Sequence, residues 1–278
     1  MPFVVPTVRR RILITGETGS GKSNALRTFP GPKLVLVFPG EKGQDTLLKA
    51  DGSPLDDDTT VRVWQNEGEK PPLSTQVIED VRKETIAALK TPGLVTFAGD
   101  GLHKLYEYVM DAKSGGEYFA GSPFKTESKM DTQVVDPRVS MQAEHWLTDY
   151  LSLICLSKVP YVVVTMWDKD AGVRKAKTVD GKKEKWQDIP TFKMPALYSG
   201  ASRKVLGEFG YQMHASVQWK RVEVAPGKFE RQRLFRWQTA PDDEVGACGV
   251  KIDSKVANTI PKFISADWRE LAKYVEGV

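Results

Sequence analysis

Residues 16–23 read Gly16-Glu17-Thr18-Gly19-Ser20-Gly21-Lys22-Ser23, the spacing Gly-x-x-x-x-Gly-Lys-Ser of a phosphate-binding loop. Each position has a chemical reason. Glycines let successive backbone N–H groups converge on phosphate oxygens, the lysine reaches the outer phosphates, and the serine hydroxyl can ligate Mg²⁺. The apolar run Ile12-Leu13-Ile14 precedes the loop and a helix-like stretch, Asn24 to Thr28, follows it. The loop is thus expected between a strand and a helix N-terminus, whose dipole favours anions. A ligand-free surface glycine turn is the competing reading. Under the functional one, Gly16 through Asn24 surround the phosphates of a nucleoside triphosphate.

Hydrolysis needs a carboxylate for the metal shell and usually another to activate water. Two acids stand at the ends of apolar runs. Leu94-Val95-Thr96-Phe97-Ala98-Gly99-Asp100 ends in Asp100, which could reach Mg²⁺ directly or through water, or could cap the helix-like segment Leu102 to Met110. Glu41 follows Leu34-Val35-Leu36-Val37-Phe38-Pro39-Gly40, where a carboxylate could deprotonate water; a solvated loop acid is the alternative.

The elements that must position these groups are strand-like runs at Arg11 to Thr15, Leu34 to Phe38, Thr60 to Trp64, Leu94 to Ala98 and Val159 to Thr165. Helical periodicity fills several of the gaps, at Val77 to Lys90 and Glu144 to Ser157. The alternation predicts an α/β fold with a mostly parallel sheet flanked by helices. Beyond residue 170 come two hairpin candidates, Val173 to Trp186 around Asp180-Gly181 and Val217 to Trp237 around Pro226-Gly227. Asp267 is placed to cap a last helix ending at Val275. The expected organisation is one domain over residues 1–278, with a core at about 8–168 and a β-rich part at about 169–278.

The composition suits such a domain. The 278 residues are 40% hydrophobic and 27% charged, and 40 Lys plus Arg against 36 Asp plus Glu leave +4, which permits an anionic partner without demanding one. Cys155 and Cys248 make a disulfide framework improbable, and no apolar run is long enough to span a bilayer, so a cytoplasmic protein without a membrane segment is expected. His103, His145 and His214 are too scattered in sequence to suggest a metal cluster, and structural or solvated roles are assigned to them and to both cysteines.

A phosphate loop, a strand followed by Glu41-Lys42-Gly43, and a strand ending in Asp100 before a small residue resemble, in that order, the RecA-like ATPases. More narrowly, the chain is similar to phage and prophage nucleotide-binding proteins, some of which are single-strand-annealing recombinases. The resemblance implies a RecA-like P-loop core with ATP and Mg²⁺ as cofactors, Glu41 as catalytic base and Asp100 as metal ligand with Ser23. It matches the end of Tyr161-Val162-Val163-Val164-Thr165 to a γ-phosphate sensor, Thr165. Met166-Trp167 stand where a histidine is common in that family. It further reaches Pro195 to Gly200, and Gly249 to Lys255, where Lys251 corresponds to the first of a pair of basic residues acting on a neighbouring subunit's ATP within a ring or filament; Asp253 stands at the second position, with Lys255 as an off-register substitute. The host would be a bacterium if the protein is phage-encoded.

Downstream of the sensor strand, where RecA-like proteins place a DNA-channel loop, stand Lys169, Arg174, Lys175, Lys177, Lys182, Lys183 and Lys185, with Trp186 beside them. Cations next to an aromatic fit a single strand, through phosphate contact and base stacking; a solvated hairpin is the bland alternative. The polar insertion Asp111 to Val139, with Gly115-Gly116, Tyr118, Phe119, Phe124, Lys125, Lys129 and Arg138, is expected to be a long functional loop. Trp219, Phe235 and Trp237 are expected to pack a sheet face. The leading expectation is an ATPase acting on single-stranded DNA in recombination, annealing or replication. The alternatives are an annealing module that uses ATP as a switching ligand, a DNA-packaging motor, and a small-molecule kinase, for which an Arg-rich lid motif is not evident.

Overall fold

The computed structural model describes residues 9–64, 73–116, 136–179, 182–197, 199–225, 227–241 and 250–276, with side chains throughout except those of 170–192, 194, 199 and 200. The first five strands run parallel to one another: β1 (Arg10–Gly16), β2 (Lys33–Val37), β3 (Thr59–Val63), β4 (Thr96–Asp100) and β5 (Tyr161–Met166). They lie in the order β3-β2-β4-β5-β1, so β5 separates the strand carrying the glycine loop from the strand carrying Asp100. The helices are α1 (Lys22–Leu26), α2 (Ser74–Leu89), α3 (Leu102–Lys113) and α4 (Pro137–Cys155), followed by α5 (Ser199–Glu208), α6 (Ser254–Ala257) and α7 (Trp268–Val275).

Strand alternation divides the core between two faces. Leu13, Leu34, Leu36, Phe97, Val162 and Val164 point to the side covered by α2 through α5. Ile12, Ile14, Val35, Val37, Ala98 and Val163 point to the other, against α1, Phe29, Trp237 and the α7 residues Trp268 and Leu271. Both faces are therefore dry over β1, β2, β4 and β5, which is why those strands read as apolar runs, whereas β3, at the sheet edge, alternates and exposes Thr60 and Arg62.

Several boundaries differ from the sequence expectation for identifiable reasons. β4 runs from Thr96 to Asp100 because Leu94 belongs to the preceding turn, closed by its N–H to the Thr91 carbonyl. α4 starts at Pro137, seven residues before Glu144: proline favours the first helical position and Asp136 accepts from the Arg138 N–H. The expected loop 111–139 is thus shortened by helix at both ends; Tyr118, Phe119, Phe124, Lys125 and Lys129 lie outside the described residues. α5 was not anticipated, since Ser-Gly-Ala-Ser-Arg-Lys-Val-Leu-Gly-Glu carries two glycines and little apolar periodicity.

The C-terminal strands divide. β6 (Asp168–Val179) and β7 (Lys182–Pro195) form a separate antiparallel ribbon, longer than the expected hairpin. β8 (Tyr211–Ala225) instead joins the main sheet: Tyr211 to Ala215 pair in parallel with Ile12 to Gly16. β9 (Lys228–Gln238) and β10 (Phe263–Ser265) continue antiparallel, giving eight strands in one sheet. Asp267 caps α7 as expected, accepting from the Arg269 N–H. Among the described residues no helix is long and apolar enough to cross a membrane.

Candidate functional site

Because β1, β2, β4 and β5 are parallel, their carboxyl ends open along one edge, the place where α/β sheets bind ligands. Residues 16–23, 38–43, 100–103 and 165–168 meet there. Gly21 has φ 88°, a left-handed conformation, and a Cβ on it would come within 2.5 Å of the Phe235 ring. Glycine is thus required both by the backbone turn and by the strand above it. α1 spans only five residues, so the loop amides and Lys22, more than a long helix dipole, supply positive potential.

The Lys22 ammonium is buried and folded back on its own loop, donating to the carbonyls of Gly16 and Glu17, each at 2.8 Å. Burial lowers its pKa, opposed by the negative charges of Asp100, Asp168, Glu41 and Glu17. Asp100 is 1% exposed. Its Oδ1 accepts from the Thr165 hydroxyl, while Oδ2 is buried on the side of the Ser23 hydroxyl. A Cβ on Gly43 would collide with both Asp100 Oδ2 and Ser23 Oγ, so these two oxygens converge on one point from β4 and α1. Burial pushes the Asp100 carboxyl above its usual range, against the pull of the Thr165 and Ser23 hydroxyls and the Lys22 charge. The capping alternative does not hold: Gly101, at φ 89°, occupies the N-cap of α3, and no side chain caps that helix.

Glu41 is placed beside this pair. Its Oε1 accepts from the Lys42 N–H at 3.0 Å, and its Oε2 lies 3.6 Å from His103 Nε2. The carboxylate packs over Gly101, where a Cβ would come within 2.6 Å of Oε2. Burial first, and then the charge of Asp100, raise its pKa, with Lys22 and Lys104 pulling the other way. Glu41 is therefore not a solvated loop acid; its side chain is 15% exposed. Thr165 is 1% exposed, and its hydroxyl both donates to Asp100 and accepts from the Gly101 N–H at 3.0 Å, so in this structure it orients the Asp100 carboxylate.

Two histidines expected to be structural or solvated stand at the site. His103 is buried, stacks on Trp167 with ring centroids 4.3 Å apart, and accepts from the Trp167 N–H through Nδ1 at 3.3 Å. Burial drives its pKa down to about 2, so the ring is neutral, and the accepting Nδ1 leaves the proton on Nε2, facing Glu41. His214 pairs with Thr15 across the sheet and lies 3.0 Å from the fully buried Asp168 carboxylate. Only the parallel pairing of β8 with β1 brings His214 here, and no local motif announces it. Among the described residues no three His, Cys, Asp or Glu are grouped to hold a metal by themselves. Cys155 is half-buried against the core, and burial pushes its thiol up to about 12, an inert state.

The remaining assignments scatter. Lys251 bridges to Gln212 and donates its ammonium to the Phe209 carbonyl of its own chain at 3.1 Å. Lys169 lies at the base of the β6–β7 ribbon; the side chains of Arg174, Lys175, Lys177, Lys182, Lys183, Lys185 and Trp186 lie outside the described residues, as does Cys248. The ribbon reaches the glycine loop through Lys193, 3.2 Å from Glu17. Beside α1 a cavity of about 590 Å³ is lined by Asn24, Arg27, Thr28, Arg233 and Phe235, among others. Two of its lining residues also touch the loop, Phe235 packing on Gly21 and Arg233 donating to the Gly19 carbonyl at 3.0 Å. Neither protein-family models nor curated proteins give a match to this chain.

Proposed function

We propose that the chain is a Mg²⁺-dependent ATPase with a RecA-like phosphate-loop core, of the phage and prophage nucleotide-binding type, acting on single-stranded DNA in recombination, annealing or replication. The observation that carries this reading is the convergence of Lys22, Ser23, Asp100 and Glu41 at the carboxyl ends of neighbouring parallel strands. A phosphate loop alone binds phosphate; with two carboxylates at hand, the buried Asp100 oriented by a hydroxyl and the half-buried Glu41 next to a neutral imidazole, hydrolysis becomes the chemistry the site is equipped for.

In this reading the loop amides receive the phosphates, and Lys22 exchanges the carbonyls of Gly16 and Glu17 for the outer phosphate oxygens. The cavity beside Asn24 and Arg27 receives the nucleoside. The buried Asp100 Oδ2 and the Ser23 hydroxyl oxygen, converging on one point, fit a hard cation, and these two residues would hold Mg²⁺. When bound, Mg²⁺ supplies charge neutralisation at the β- and γ-phosphates. Glu41 accepts the proton of the attacking water, and His103, fixed as the Nε2–H tautomer by Trp167, lies on the side of Glu41 that must stay oriented. Thr165 keeps Asp100 aligned through its hydroxyl.

Calorimetric titration with a non-hydrolysable ATP analogue tests the binding half of this reading. One-to-one saturable binding with Mg²⁺, weakened when EDTA removes the metal, is expected. No binding heat under either condition, with the protein folded, would remove the nucleotide from the reading.

A further inference from the structure

Beyond the sheet, β8 and β9 continue as a two-stranded arm whose residues 218–221 and 228–234 are largely exposed. Cross-strand partners share a face, and the register pairs Val217 with Phe235, Trp219 with Arg233, Arg221 with Arg231 and Glu223 with Phe229. One face of the arm therefore carries three aromatics and three arginines against a single acid. The expectation that Trp219 packs a sheet face is wrong: it is 59% exposed, and Phe229 is 46% exposed, whereas Trp237, at the root, is buried. Guanidinium groups cover these rings, Arg221 over Phe229 at 4.1 Å and Arg233 over Trp219 at 5.5 Å. At its root the same face meets the glycine loop through Phe235 on Gly21 and Arg233 on the Gly19 carbonyl.

We infer that this aromatic and arginine face of the β8–β9 arm is a binding surface for single-stranded nucleic acid. The inference rests on the single-strand reading above and gives it a surface other than the β6–β7 ribbon. The chemistry is specific to an unpaired polyanion. Exposed rings offer stacking area to bases that a duplex would keep paired, and arginines offer guanidinium groups to phosphates and bases. The arm segment 217–235 holds five basic residues, Lys220, Arg221, Lys228, Arg231 and Arg233, against Glu223 and Glu230. That charge complements a phosphate chain and disfavours a second copy of the same face, which would bring like-charged guanidinium groups together. A strand lying here would touch residues that also touch the phosphate loop, so nucleotide and strand would share Arg233.

The test uses the full chain and short labelled oligothymidylate and oligouridylate strands, followed by fluorescence anisotropy at several salt concentrations. Trp219→Ala is expected to weaken binding about tenfold or more, and Trp219→Phe to retain most of it. The double variant Arg221→Gln/Arg231→Gln should weaken binding and reduce the steepness of its salt dependence by roughly 1.4, two phosphate contacts on a single strand. Comparable effects with both strands mean that base and phosphate are read; loss confined to the deoxy strand assigns the surface to DNA. Wild-type affinity in both the Ala and double-Gln variants would overturn the inference while leaving the single-strand reading intact. Unchanged oligonucleotide affinity with an altered oligomeric state would also overturn it, in favour of a second copy. A wild-type chain that binds neither strand would defeat the single-strand reading itself and this inference with it, leaving the ATP titration to stand separately.

Discussion

Lys22→Ala is expected to weaken binding of Mg²⁺–ATP at least about 100-fold, the equivalent of losing two charge-assisted hydrogen bonds at about 1.5–3 kcal/mol each. The ammonium is buried, bonds two loop carbonyls at 2.8 Å, and stands among Asp100, Asp168, Glu41 and Glu17. Its removal costs twice over: the γ-phosphate loses its cation, and several carboxylates lose the charge that makes their ionisation tolerable. The free protein should respond as well, with the Gly16 and Glu17 carbonyls left unpaired and a destabilisation of about 1–3 kcal/mol seen in chemical denaturation. Calorimetry on folded Lys22→Ala decides the matter, since an affinity within a few-fold of the parent would mean that the loop does not hold phosphate.

Glu41→Gln should leave ATP binding nearly unchanged and lower turnover by about 10²–10⁴-fold, the range of general-base catalysis. The amide keeps the size of the carboxylate but cannot accept a proton from water. The pH dependence sharpens this expectation. Burial and the Asp100 charge raise the Glu41 pKa above its ordinary 4.5, and only the ionised form is a base. Turnover therefore rises as pH climbs through that raised value and falls below it, placing the acid limb of the rate profile at higher pH than a free glutamate would. The residual rate of Glu41→Gln should lose this limb. Full turnover in the Gln variant, or an unshifted acid limb retained in it, would assign the proton transfer to another group.

How far the sequence reached depended on whether a feature is local. The glycine loop is local: its backbone conformation, its lysine and its serine are written within eight residues, and the structure places them at a strand end as expected. Buried parallel strands also announce themselves, because Leu34 to Val37 and Val162 to Val164 are covered on both faces and carry no polar interruption. Asp100 and Glu41 were readable because each follows such a run. What could not be read is convergence from distant segments. His103 meets Glu41 only because α3 begins beside residue 41, and Asp168 meets His214 only because β8 lies next to β1. The arm shows the same limit in reverse: alternating Trp and Phe on a strand signal a packed face, and only the sheet's extent reveals that Trp219 projects past the layer that would cover it.

Release of inorganic phosphate from ATP with Mg²⁺, measured with and without a single-stranded oligonucleotide over a series of salt concentrations, tests hydrolysis and its coupling together. Steady turnover that the strand stimulates, with the stimulation fading as salt rises, is the expected result, because contacts to phosphates release counterions and weaken with salt. Phosphate release no faster than in buffer, with or without the strand at the lowest salt, would contradict the ATPase reading of Lys22, Ser23, Asp100 and Glu41.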